Sequence, residues 1–194
     1  KSKPDTLVAA ALDGDGDRCL LIEATQHGFR VVDGDRIADA FLNSVTNSGK
    51  EWNLAASIES DISLTTNLDR YQMQVTANET AVGDRWLSFK LSNNQTNEYI
   101  IHSTMPSLLG VEDSGHIVLA SPHPNHEFAW TLVGDGAMTL VAYLLATTRL
   151  DESRLMDRGW KQRQSVNDID RGKWNGNNKL SDVIEKSLFD KLSD

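Results

Sequence analysis

The apolar run Thr6-Leu-Val-Ala-Ala-Ala-Leu12 passes directly into Asp13-Gly-Asp-Gly-Asp-Arg18, so three carboxylates fall within five residues at the end of a strand-like segment. Charges that close repel one another, and they are tolerated together only where a cation or strong hydrogen-bond donors neutralise them. A divalent ion meets that need. Magnesium takes hard oxygen ligands in near-octahedral array and combines protein carboxylates with phosphate or water oxygens. Gly14 and Gly16 let the backbone curl so that Asp13, Asp15 and Asp17 converge instead of splaying to alternate sides. A calcium loop of the EF-hand kind also begins Asp-x-Asp-x-Asp, but it requires glycine at its sixth position and glutamate at its twelfth, where this chain has Arg18 and Ala24. A second Asp-Gly-Asp, at Asp33-Gly34-Asp35, has one acid fewer and precedes a helical pattern, so it reads as a turn and N-terminal cap outside the metal site.

Residues 6–12 read as a buried strand, and Cys19–Glu23 with Phe29–Val32 as a hairpin turning at Gln26-His27-Gly28. Helical spacing marks 33–43, 61–71 and 84–90, and most clearly 136–148, where Met138, Val141, Leu144 and Leu145 share a stripe. Short apolar segments at 52–58, 73–76, 98–102 and 117–120 read as strands. Strands alternating with helices imply an α/β layer architecture. Beyond residue 148 the chain turns polar, with isolated tryptophans, before an amphipathic helix at 180–192 capped by Ser181 or Asp182. Residues 149–194 therefore read as a linker and an incomplete C-terminal region.

A formal charge of −9, from 28 acids against 19 bases, argues against a general affinity for nucleic acid or anionic membranes, so an anionic ligand needs a local cationic or backbone site. No apolar run approaches the roughly 18 residues of a membrane helix. The start, Lys-Ser-Lys-Pro-Asp, has no secretory pattern, and the single cysteine, Cys19, cannot form an internal disulfide; both fit a cytoplasmic protein. The Asn-x-Thr triplets at Asn78 and Asn94 then read as chance. His123 and His126 lie near one another in a Pro-rich link without an evident third metal ligand. The five tryptophans, Trp52, Trp86, Trp130, Trp160 and Trp174, read as core or edge residues before sugar platforms.

Asp13-Gly-Asp-Gly-Asp-Arg18 resembles the metal loop of the α-D-phosphohexomutases, the superfamily of phosphoglucomutase, phosphomannomutase and phosphoglucosamine mutase. Val31-Val-Asp-Gly-Asp-Arg-Ile37 is similar to the entry into that family's third domain, Thr80-Ala-Val-Gly-Asp-Arg85 to a loop facing its active site, and Gly110-Val-Glu-Asp-Ser-Gly-His116 to its sugar-recognition loop. Gly134-Asp-Gly136 before an apolar helix also fits. The resemblance implies an α/β fold: a phosphohexomutase domain 3-like mixed sheet packed between helices over residues 33–148, after a short remnant of the preceding domain over 1–32.

It also implies a chemistry, in which a phosphoserine donates its phosphoryl group to a hexose phosphate and recovers the other one, most simply in an enzyme of the phosphomannomutase or phosphoglucomutase kind. Magnesium would be held by Asp13, Asp15 and Asp17, with Arg18 beside the transferring group. Glu112 and Ser114 would meet vicinal sugar hydroxyls, because a carboxylate accepts where a hydroxyl can also donate, and Gly115 would let the backbone approach the ring. His116 stands close by as a proton carrier or phosphate contact. The chain departs from the family pattern at Ala81, usually lysine, and Val111, usually glycine; Arg85 is the residue placed to restore the missing positive charge. No segment resembles the phosphoserine loop or the loop that grips the non-transferring phosphate, so the partners implied are those domains of the same protein and a hexose phosphate. The alternative is a non-catalytic sugar-phosphate or metal-binding module on the same scaffold.

Overall fold

The computed structural model describes residues 6–93, 99–159, 170, 173 and 178–192, and the chain divides into two compact units, 1–160 and 161–194. Trp160 and Trp174 lie outside the described residues, as does most of 160–177.

The first unit holds two sheets. Strands β1 (Leu7–Leu12), β2 (Cys19–Thr25) and β3 (Gly28–Val32) form an antiparallel sheet in that order, with β2 and β3 making the expected hairpin. Strands β4 (Trp52–Ser57), β5 (Val75–Thr80), β6 (Ile100–Ile101), β7 (Leu108–Val111), β8 (Ile117–Pro122) and β9 (Ala129–Gly134) form a six-stranded mixed sheet in the order β5-β4-β7-β8-β9-β6. The pairs β5–β4 and β4–β7 are parallel; β7–β8, β8–β9 and β9–β6 are antiparallel.

Alternation along the central strands builds two cores. Leu54 and Ala56 of β4, Leu109 and Val111 of β7, and Ile117 and Leu119 of β8 point into one core with α1 (Gly34–Ser44) and α4 (Gly136–Thr147). The intervening Ala55, Leu108 and Val118 point into the other, where Leu87 and Leu91 of α3 (Asp84–Leu91) cover them. The mixed sheet is therefore packed between helices. Asp33 caps α1 by accepting from the Arg36 amide at 3.1 Å, and Asp135 caps α4 by accepting from the Met138 amide at 2.9 Å.

Some elements differ from expectation. Strand β1 is exposed at five of its six residues, because among the described residues it pairs only with β2. The helix expected over 61–71 is two short pieces, α2 (Ile62–Thr65) and a 3₁₀ turn (Leu68–Tyr71). The hydroxyls of Thr65 and Thr66 both return to the Ile62 carbonyl, and Asn67 takes a left-handed φ of 49°, which together end the helical run. The strand expected at 73–76 starts at Val75, and β7 and β9 are additions; β7 is only four residues and merges into the glutamate turn. Residues 151–159, read from sequence as linker, are bonded to α1. Asn43 and Asp151 exchange two hydrogen bonds of 2.8 and 3.0 Å, and the Met156 amide donates to Asp39 at 2.8 Å.

In the second unit, α5 (Lys179–Leu192) is capped by Asn178, whose Oδ1 accepts from the Ser181 amide at 3.1 Å. The cap thus lies before the two residues expected to provide it. No helix among the described residues is long and apolar enough to cross a membrane.

Candidate functional site

The parallel strands β4 and β7 are neighbours, yet β4 leads away to β5 on one side and β7 to β8 on the other. In α/β sheets ligands are commonly held beyond the carboxyl ends of strands where the order reverses in this way. At that end β7 runs out into the turn 112–116, and β5 into the loop 81–83. The turn and the loop touch: the Gly83 amide donates to Glu112 Oε1 at 2.5 Å. Among the described residues Glu112 Oε2 carries only a long 3.5 Å contact from the Ser114 hydroxyl, so both polar groups keep capacity for a ligand.

The aspartate loop comes to the same place from the other sheet. Arg18 and His116 form an isolated antiparallel bridge, and the Cys19 amide donates to the Gly115 carbonyl at 3.0 Å. Gly115 has φ 92°, and a Cβ there would lie 2.3 Å from the Cys19 carbonyl oxygen. Glycine is needed both for the angle and for the approach. Gly134 and Gly136 close the other side: a Cβ on Gly134 would enter the His116 ring at 2.4 Å, and one on Gly136 would stand 2.6 Å from the Arg18 carbonyl. The Gly136 amide also donates to the Gly16 carbonyl at 2.8 Å. The Gly-Asp-Gly before α4 is therefore the floor under the aspartate loop.

Within that loop, one carboxylate oxygen each from Asp13, Asp15 and Asp17 lie within 4.8 Å of one another. Octahedral ligands about 2.1 Å from magnesium stand about 3 Å apart at the closest. Three carboxylate oxygens gathered in one loop are hard anionic donors, so the chemistry of the donor set fits a hard divalent ion. Asp13 accepts from the Gly16 and Arg18 amides at 3.1 and 3.2 Å and from Arg18 Nε at 2.6 Å. Desolvation raises its pKa, but the Arg18 amide and guanidinium outweigh that and bring it to about 2. Asp17 behaves oppositely. Desolvation pushes its carboxyl above the ordinary range, opposed by His116 and reinforced by the charges of Asp15 and Asp13. Its Oδ1 is buried with no hydrogen-bond partner among the described residues and has an ion-pair contact of 3.7 Å with Arg18 Nε, the same nitrogen that serves Asp13. Three carboxylates sharing one guanidinium are where a cation would relieve the loop.

His116 is 5% exposed, with Nδ1 3.2 Å from Asp17 Oδ2 and Nε2 buried with no hydrogen-bond partner among the described residues. Arg85 sits with its guanidinium 4.6 Å above the Trp86 ring, at the exposed start of α3. His123 accepts the Asn125 amide at Nδ1, 3.1 Å away. That bond engages the Nδ1 lone pair. Two features escaped the sequence reading. Gly34, set aside with the repeated Asp-Gly-Asp, is in backbone contact with the glutamate turn: a Cβ there would lie 1.8 Å from the Glu112 carbonyl oxygen, and its amide donates to the Asp113 carbonyl at 3.2 Å. The Gly83 amide is the other, since a backbone donor has no sequence signature beyond the glycine itself.

Residues 33–162 match the phosphoglucomutase/phosphomannomutase alpha/beta/alpha domain III. A phosphoglucosamine mutase of Mycolicibacterium gilvum is 35% identical over 144 residues, covering 72% of this chain and 27% of that protein. One from Leifsonia xyli subsp. xyli is 34% identical over 134 residues, covering 68% and 24%, and one from Lactobacillus gasseri is 25% identical over 199 residues, covering 99% and 39%. The chain thus spans between about a quarter and two fifths of the length of these relatives. Among solved structures, an apo N-acetylglucosamine-phosphate mutase of the alpha-D-phosphohexomutase superfamily matches with TM-score 0.56 and 17% identity over 81% of this chain and 36% of its own. The Aspergillus fumigatus N-acetylphosphoglucosamine mutase, in complex with GlcNAc-6P and magnesium, matches with TM-score 0.55 and 18% identity over 81% and 34%. These two likenesses are likenesses of fold.

Proposed function

This chain belongs to the phosphoglucomutase/phosphomannomutase family, and we propose that it supplies the metal loop and sugar-recognition turn of a mutase that moves a phosphoryl group between the 1- and 6-positions of a hexose phosphate. The observation that carries this reading is the junction of the two motifs, with His116 of the turn 3.2 Å from Asp17 of the loop. We read residues 1–32 as the end of the preceding domain and the stretch from 33 as domain 3, which is where the family match begins.

In this reading Asp13, Asp15 and Asp17 hold magnesium, which when bound offsets the negative charge of the phosphoryl group in transfer. Arg18 exchanges Asp13 for phosphate oxygens, which its planar fork suits. Glu112 is oriented by the Gly83 amide and presents its second oxygen to a sugar hydroxyl; Ser114 serves the neighbouring one. His116 is too buried to carry protons to and from solvent and instead fixes the orientation of Asp17. The relatives compared are phosphoglucosamine mutases, so we favour an amino sugar phosphate over a mannose or glucose phosphate as substrate. The phosphoserine and the grip on the second phosphate are assigned to parts of the parent enzyme outside this chain, in keeping with the fraction of the relatives it spans. We assign the parent to the cytoplasm, where the buried thiol of Cys19 stays reduced.

The test is interconversion of glucosamine 6-phosphate and glucosamine 1-phosphate by the parent enzyme, followed by ³¹P NMR with and without chelator. Magnesium-dependent turnover is expected. Absence of turnover with any hexose phosphate sinks the reading. Tight sugar-phosphate binding by this chain alone would favour a non-catalytic module instead, for which Ala81 in place of the family's lysine is the motive.

A further inference from the structure

The segment 151–159 ends in a side chain that the mutase chemistry leaves unused. Arg158 places Nη1 2.7 Å from Asp33, Nε 3.3 Å from Asp61 and Nη2 3.6 Å from Asp35. The Gly159 amide adds a bond to Asp61 at 3.1 Å, and the Asp61 amide donates to Asp35 at 2.8 Å. Asp35 is fully buried and Asp61 is 2% exposed, so water solvates neither. One guanidinium thus holds three carboxylates drawn from the cap of α1, its first turn and the loop after β4.

The position of that knot gives it a consequence. Asp33 is the N-cap of α1, and Gly34 follows it. A Cβ on Gly34 would lie 1.8 Å from the Glu112 carbonyl oxygen and 3.1 Å from the Gly115 nitrogen, so the first turn of α1 and the glutamate turn are in backbone contact. Displacement of one displaces the other, because no side chain stands between them to absorb it. Removing the cation would leave mutually repelling carboxylates in a region of low dielectric, and they relax by moving apart.

We infer that Arg158 is a positioning residue for the sugar turn: it clamps the start of α1 against residues 112–115 and so fixes where Glu112 and Ser114 present their oxygens. The inference rests on the proposed use of that turn. It assigns to the strap 151–159, far along the chain, control over the geometry of the recognition site.

Amide hydrogen exchange, read by NMR on the 194-residue chain, tests it. In Arg158→Met the amides of Gly34, Gly115 and Cys19, which donate to Asp113, Glu112 and Gly115, are expected to exchange at least about tenfold faster. Those of Trp52 and Asn53, which bond Gln74 and Ser107 at the opposite end of β4, keep their wild-type rates. Arg158→Lys keeps the charge but loses the fork, so it gives a smaller local effect, and it decides the matter by the same comparison if the Met variant does not fold. Equal acceleration at both ends would make Arg158 a general stabiliser and overturn the inference, as would no acceleration at either. A second arm titrates glucosamine 6-phosphate: the Met variant is expected to bind about tenfold more weakly than wild type, and equal binding overturns the inference. If the 194-residue chain binds no sugar phosphate, because the grip on the phosphate lies outside it, the exchange comparison decides this inference alone, while the functional reading stands or falls on turnover by the parent enzyme.

Discussion

Nδ1 of His116 stands 3.2 Å from Oδ2 of Asp17, and that contact joins the turn after β7 to the loop after β1. The imidazole cannot swing away, because the backbone of Gly134 lies against its ring where any side chain would collide. Groups that orient a metal ligand from behind matter nearly as much as the ligand itself. His116→Ala is therefore expected to weaken magnesium binding by about 10- to 100-fold, measured by calorimetry. Unchanged affinity would remove His116 from the site.

Asp17 and Asp13 are displaced in opposite directions, Asp17 upward and Asp13 down to about 2. Asp13 is thus ionised throughout the working range, and in the proposed metal site Asp17 is the group whose proton would compete with the metal. Magnesium affinity should rise as pH rises through the elevated Asp17 value, which lies above the ordinary 3.8. For folding, the sign is that of a raised carboxyl. Protonated Asp17 favours the fold below the unfolded value, and that contribution is lost as pH rises through the folded one.

Asp17→Asn should consequently raise the melting temperature of the metal-free chain at neutral pH and abolish its stabilisation by magnesium. The rise should be on the order of a degree or two, small because the side chain is 38% exposed and solvent screens it. Thermal melts with and without magnesium check both halves. A lower metal-free melting temperature would contradict the account.

Gly134→Ala forces a methyl into the buried His116 ring, with contacts of 2.4 and 2.6 Å to its atoms. Overpacking at a site that cannot relax costs about 1–3 kcal/mol. Urea denaturation should show that loss, together with weakened magnesium binding, because the ring transmits the clash to Asp17. Full stability in this variant would mean that the three elements are not packed as described.

Asp39 gathers Arg70 at 3.0 Å, the Tyr71 hydroxyl at 2.6 Å and the Met156 amide at 2.8 Å while 2% exposed. Asp39→Ala leaves Arg70 without its carboxylate and the strap without its anchor. A loss of about 3–5 kcal/mol is expected in the same urea measurement, as for breaking a buried ion pair. A loss under about 1 kcal/mol would show that the cluster is solvated, since exposed pairs contribute no more than that.

Much of this was legible in the chain because the informative residues are local. Asp13-Gly-Asp-Gly-Asp-Arg18 announces converging carboxylates by its own spacing, and the repeated Asp33-Gly-Asp35 reads as a cap, which Asp33 is. What escaped depends on contacts distant in sequence. Arg158 looks like a linker residue until Asp33, Asp35 and Asp61 are seen around it, more than 90 positions away. Strand β9 was hidden because Thr131 to Val133 carry no clean alternation, and the length of β7 was hidden inside the sugar motif. The apolar run of β1 implied burial, yet hydrophobicity cannot specify which partner strand or covering layer a segment finds.

The most direct test of the central claim is an NMR titration of the chain, first with magnesium and then with glucosamine 6-phosphate, following backbone amides throughout. The account predicts that the metal shifts Gly14, Gly16 and Arg18, and that sugar phosphate then shifts Ser114, Gly115 and Gly83. If magnesium leaves the aspartate loop unmoved, or if sugar phosphate shifts residues remote from both the loop and the turn, the two motifs do not form one site.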